Sequence, residues 1–177
     1  MRKFQTAGLR VKKSKCQFGV PAAEFLEFMI DAKGVHPTPA KVKAIHSAPQ
    51  PQSKAEIQAF LGLLNFYHAF LPNKVSVAEP LHRLLEKQVA WVWGTIVEKA
   101  FREVKNLISS DSVLVHYDEK LPLVLACNVS PYGIGAVLSH SLPDGWKAPV
   151  AFYSRTLSKS ERNYAQIDKE ALAIVAG

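Results

Sequence analysis

Cysteine is scarce in this chain. Only Cys16 and Cys127 occur among 177 residues, far apart and in no C-x-x-C pattern. That excludes a disulfide framework and a cysteine zinc site, and it fits a reducing compartment. No stretch approaches the roughly 18 uninterrupted apolar residues of a membrane helix. The N-terminus is rich in Arg and Lys but has no apolar segment behind it, so no secretory signal is read and an intracellular setting is expected. No two aspartates are adjacent, and neither an internal repeat nor a low-complexity tract is visible. His36, His46, His68, His82, His116 and His140 fall at no paired metal-ligand spacing. Ser130 and Ser154 lack a nucleophile elbow. Gly133-Ile-Gly135 leads into a strand pattern, where a phosphate loop needs a helix.

What is present describes a core-forming chain. Hydrophobic residues make up 48% and charged residues 21%, an ordinary globular balance, and the length suits one domain or two small ones. The net charge of +7 is unevenly spread. Residues 1–15 hold six basic side chains (Arg2, Lys3, Arg10, Lys12, Lys13, Lys15) and no acid, whereas the remainder is nearly neutral. A basic head on a neutral body fits phosphate contact at one end; a solvated tail is the alternative.

Caps and periodicity predict the elements. Thr38-Pro39 places an N-cap before proline at the first helical position, opening a short helix to about Ser47. Ser53-Lys-Ala-Glu56 is a capping box, followed by Ile57, Phe60, Leu61 and Leu64 at helical spacing, a core stripe. A third helix is read from about Val77 through Leu85. Thr95-Ile-Val-Glu98 reads as a second capping box before Phe101, Val104, Leu107 and Ile108. Cys16–Phe18 and Phe25–Ile30 look strand-like, with a turn at Asp31–Gly34. From about Lys120 the period becomes two: a well-buried strand through Cys127, a returning strand Tyr132–His140, a turn at Pro143-Asp-Gly145 and a third strand Pro149–Tyr153. Ser158-Lys-Ser-Glu161 reads as a third capping box, opening a helix that reaches the chain end. Trp91 and Trp93 could stack on bases, but their spacing fits packing on one face better.

The run from Leu125 to His140, with Asn128, the Ser130-Pro131 turn and the glycines at 133 and 135, resembles the opening hairpin of the RNase H domain in gypsy-type LTR retrotransposon polyproteins. Further words follow in the family's order. Gly8 to Cys16 resembles the end of the polymerase palm, and Phe25-Leu-Glu-Phe-Met-Ile30 its primer-grip hairpin. Lys41 to Ile45, Phe60 to Tyr67 and Phe70 to Asn73 resemble the helical thumb. Trp91 to Trp93 and Val113 to Asp118 resemble the connection. Ala151 to Ser158 and Asn163 to Val175 resemble further RNase H segments. The resemblance implies an α+β chain with an end-of-palm hairpin over 1–35, thumb-like helices over 36–90, a connection over 91–119 and an incomplete RNase H-like β-β-β-α unit over 120–177. Its open sheet edge is expected to associate.

The resemblance also implies a magnesium site, because RNase H chemistry gathers carboxylates on two Mg²⁺ ions. The family set is an Asp on the first strand, a Glu on the first helix and two later Asp residues. Carried over, it gives Glu170 as the retained carboxylate and metal ligand, with Asn128 where the Asp belongs. Asn128 brings no charge to offset the ions, and neither later Asp falls within residues 1–177, so no Mg²⁺-dependent cleavage by this chain is expected. The paired aspartates of the family's polymerase site are likewise absent, so no polymerisation is expected either. Glu170 is read as lying on or beside the apolar face of its helix, close to the end of the first strand. The resemblance makes Arg10, Lys12, Lys13, Lys15, Phe25 and Leu26 the candidate contacts to an RNA–DNA hybrid or primer–template duplex. After Leu26 the family carries Gly and then His, where this chain has Glu27 and Phe28, and an acid there repels a phosphate backbone. Before Phe70 the family favours basic residues, where this chain has His68 and Ala69. The alternative is a non-catalytic nucleic-acid-binding or protein-interaction remnant.

Overall fold

The computed structural model describes residues 3, 6–8, 10, 12–108 and 112–176; the Lys13 side chain lies outside the described part. The first sheet is an antiparallel meander of β1 (Ala22–Phe25), β2 (Phe28–Asp31) and β3 (Val35–Pro37). Phe25–Ile30 is therefore a hairpin, turning at Leu26-Glu27. The next turn is the predicted one: the Asp31 carboxylate accepts the backbone N–H groups of Lys33 (2.8 Å) and Gly34 (3.2 Å). Cys16–Phe18 does not form a strand. A 3-10 turn at Lys13–Lys15 precedes it and no ladder pairs with it, and an apolar run without a partner strand does not hold an extended ladder.

Four helices follow. The Thr38-Pro39 start opens α1 (Pro39–His46), with proline in the first turn. The Ser53 hydroxyl accepts Glu56 N–H and caps α2 (Lys54–Phe66), while the Glu56 carboxylate reaches back to Gln52 N–H at 2.8 Å. Ile57, Phe60, Leu61 and Leu64 are all buried, as their spacing predicts. α3 (Lys74–Arg83) begins behind Asn73. In α4 (Thr95–Leu107) the expected capping box does not close: Gly94 is the N-cap, and the Glu98 carboxylate instead takes the Trp93 indole N–H at 2.6 Å. Trp93 also meets Phe101 edge-on at 5.5 Å and lies 5.9 Å from Trp91, so the tryptophans pack rather than project. These helices share one core with Tyr67, Leu71, Leu81 and Leu114.

The second sheet orders β4 (Leu123–Val129), β5 (Gly133–Ser141) and β6 (Lys147–Thr156) antiparallel. β4 is an edge strand with Leu123 and Leu125 exposed, not the well-buried strand its apolar run suggested, because only part of the sheet is covered. α5 (Gln166–Ala176) covers a small core of Ile134, Leu157 and Ala173. The Ser158–Glu161 box forms in both directions, yet it opens only a 3-10 turn, Glu161–Asn163. Tyr164 then turns extended and α5 starts afresh. The two sheets are joined by one passing segment. Leu114 exchanges backbone hydrogen bonds with Val35 (2.8 and 2.9 Å), and Val115 N–H donates to Pro149 of β6 at 2.8 Å. At Gly34, φ is 149°, and a Cβ would run into the Leu114 carbonyl oxygen. Only glycine admits that approach.

Candidate nucleic-acid interface

The β1–β2 hairpin is anchored from below and bare at its tip. Phe28, the first residue after the turn, stacks on Phe66 (5.1 Å) and Phe70 (5.4 Å) and meets Tyr67 edge-on at 5.6 Å. Offset and edge-on geometry is the favourable arrangement for aromatic rings, and it fixes the hairpin to α2 and the turn behind it. Above this clamp, Leu26 and Glu27 hold φ values of 48° and 67°. Positive φ at both central residues defines the tight turn that matches strand twist, here built without the usual Asn or Gly. Phe25 is 62% exposed and Leu26 67%.

The tip itself carries an ion pair. The Glu27 carboxylate lies 2.7 Å from the Lys41 ammonium of α1, with both side chains close to half exposed. The hydrogen bond to Glu27 holds the Lys41 ammonium above the ordinary lysine range, and Glu24 adds to the attraction. Arg10, Lys12 and Lys15 are exposed on the segment leading to β1. Phe18, between that segment and the hairpin, is 72% exposed. It was not singled out from the sequence, although an aromatic set among basic residues was the available signal.

Asn128 and Glu170 are placed differently. Cys127 and Val129 pack on the small core beneath α5, so strand alternation turns Asn128 to the other face. There it is exposed, pairs across the ladder with Gly135 and lines a shallow cleft with Pro72 and Asn73. Its amide oxygen accepts Val129 N–H at 2.9 Å. Glu170 is exposed on α5, off the buried face, and accepts from the Gln166 amide at 3.1 Å. Among the described residues no three His, Cys, Asp or Glu side chains gather closely enough to hold a metal. A neutral amide and one solvated carboxylate on separate elements do not fit a two-magnesium site. The histidines serve the scaffold. His46 bonds the Ile108 carbonyl (3.0 Å), His116 the Asp31 carbonyl (2.7 Å), and buried His140 accepts Asp118 N–H through Nε2 at 3.0 Å.

Residues 93–177 match the family described as the RNase H-like domain found in reverse transcriptase. Over 175 residues the chain is 33% identical to the Transposon Tf2-3 polyprotein of Schizosaccharomyces pombe, covering 99% of this chain and 13% of that protein. The chain thus spans about one eighth of the curated relatives it matches. The fold is similar to the foamy viral protease-reverse transcriptase solved with an RNA/DNA hybrid, at TM-score 0.75 and 24% identity over 92% of this chain and 22% of that one. The same protein solved with dsDNA gives TM-score 0.70 and 24% identity over 88% and 32%. By the domain match and the length-wide identity, residues 93–177 form a reverse transcriptase RNase H-like domain, and the chain as a whole is similar to one stretch of the retrotransposon polyproteins.

Proposed function

We propose that this region grips the backbone of a nucleic-acid duplex, an RNA–DNA hybrid or a primer–template, and does not itself hydrolyse it. The observation that carries the reading is the pairing of bare apolar side chains with unburied cations. Phe25 and Leu26 are exposed on the hairpin, and Phe18 is exposed on the segment before it, which also carries exposed Arg10, Lys12 and Lys15. Cations supply sequence-independent attraction to phosphates, and exposed aromatic faces give bases or sugars a surface to pack on. The foamy viral relatives of this fold were solved with dsDNA and with an RNA/DNA hybrid, which supports the same class of partner here. In this reading residues 1–35 correspond to the end of a palm, 36–90 to a thumb and 91–119 to a connection, leading into the RNase H-like unit over 120–177.

The absence of hydrolysis rests on the donor set. Magnesium brought here would meet the Asn128 amide, already committed to Val129 N–H, in place of a carboxylate. Fluorescence anisotropy with a short duplex across a salt series tests the binding. Three phosphate contacts, from Arg10, Lys12 and Lys15, give a log–log slope of about −2.7, and replacing Lys12 and Lys15 by Ala makes it shallower by about 2. A flat response would instead favour a protein contact at the β4 edge, where Leu123 and Leu125 lie open to solvent.

A further inference from the structure

We infer that Glu27 holds a phosphate seat on Lys41, so that the hairpin carries an internal competitor for the duplex backbone; this rests on the duplex-binding reading above. The Lys41 ammonium is bound to the very turn that bares Phe25 and Leu26. The Lys41 side chain is 41% exposed and that of Glu27 46%, so the pair is open to a ligand. An exposed pair of this kind is weak and easily exchanged. Phosphate oxygens accept the same charge-assisted hydrogen bonds from an ammonium as a carboxylate does. A strand lying across the tip therefore either displaces Glu27 from Lys41 or meets a neutralised pair and gains nothing from it. Glu27 holds a φ of 67° at this turn, beside Leu26 at 48°.

The test compares salt slopes for duplex binding by wild type, Glu27→Gln, Glu24→Gln and the double variant Glu27→Gln/Lys41→Gln. Glu24 sits on the same hairpin and, among the described residues, forms no ion pair, so its variant removes equal formal charge without breaking the Glu27–Lys41 pair. Glu27→Gln steepens the slope by about 0.9, one added phosphate contact. That is an extra loss of about threefold in affinity between 50 and 200 mM salt. Glu24→Gln leaves the slope within error of wild type, and the double variant returns to the wild-type slope. Wild-type binding with equal slopes for Glu27→Gln and Glu24→Gln overturns the inference alone, as does a gain that survives loss of Lys41. A flat response in every variant overturns the duplex-binding reading and the inference together. Circular dichroism of each variant confirms that the hairpin and helices are retained.

Discussion

Leu26 and Glu27 carry left-handed backbone at the tip of the β1–β2 hairpin, with φ values of 48° and 67°. For an L-residue with a Cβ that conformation costs about 1–2 kcal/mol, and asparagine tolerates it better. Leu26 is 67% exposed, so its side chain returns little packing energy. Leu26→Asn is therefore expected to raise stability by about 0.5–1 kcal/mol, seen as a higher urea midpoint at unchanged slope. The same variant weakens duplex binding, because it removes an apolar contact from the tip. Phe28 shows the opposite economy: it is spent on the clamp with Phe66, Tyr67 and Phe70 and is not offered to a ligand.

Among the elements, the junction between β6 and the Glu161–Asn163 turn is tied by charge. The Arg155 guanidinium grips both Glu161 carboxylate oxygens at 2.9 Å, and Ser158 N–H adds a third bond at 2.7 Å. Led by Arg155, these partners hold the Glu161 carboxyl down at about 2, from an ordinary 4.5. A carboxylate depressed in the folded state contributes stability that is complete above its unfolded value and is lost as pH falls toward the folded one. The melting temperature of wild type should thus fall between about pH 5 and pH 2 more steeply than that of Glu161→Gln. Parallel curves would remove this ion pair from the acid response. The capping box that places Glu161 was legible in the sequence, as were the Thr38-Pro39 start, the Ser53 cap and the stripe from Ile57 to Leu64. Local rules failed where a distant partner competed. Glu98 was read as a cap but is claimed by the Trp93 indole. β4 read as buried because an apolar run cannot reveal which face its neighbours cover. At the candidate sites the residues were legible but their surroundings were not. No pattern shows that Asn128 is turned away from the core beneath α5, or that Glu27 has Lys41 to hold.

Across the whole molecule, the first and second sheets are stitched by the segment around Leu114 and Val115, which bonds Val35 on one side and Pro149 on the other. The helices add contacts from α3: the Ser76 hydroxyl donates to Ser130 at 2.9 Å, and Val75 packs where a Cβ on Gly133 would have to sit. Gly34 is the narrowest point of this stitching. Gly34→Ala would force the Leu114 carbonyl away and open the bridge to Val35, costing more than about 2 kcal/mol. A urea midpoint near wild type would show that the first sheet accommodates the extra methyl. Among the described residues, the sheet over 120–177 has a small core of Ile134, Leu157 and Ala173 beneath α5, and Phe152 of β6 packs against the larger helical core.

Duplex binding without hydrolysis is the function proposed for this region. The most direct measurement incubates wild type and Asn128→Asp with an end-labelled RNA–DNA hybrid, with and without Mg²⁺, recording affinity against salt and the length of the RNA. The account predicts salt-dependent binding by both proteins and full-length RNA throughout, since one restored carboxylate still leaves Glu170 exposed on α5 as the only other member of the set. Mg²⁺-dependent cleavage of the RNA that disappears in Glu170→Ala, or affinity indifferent to salt, would contradict it.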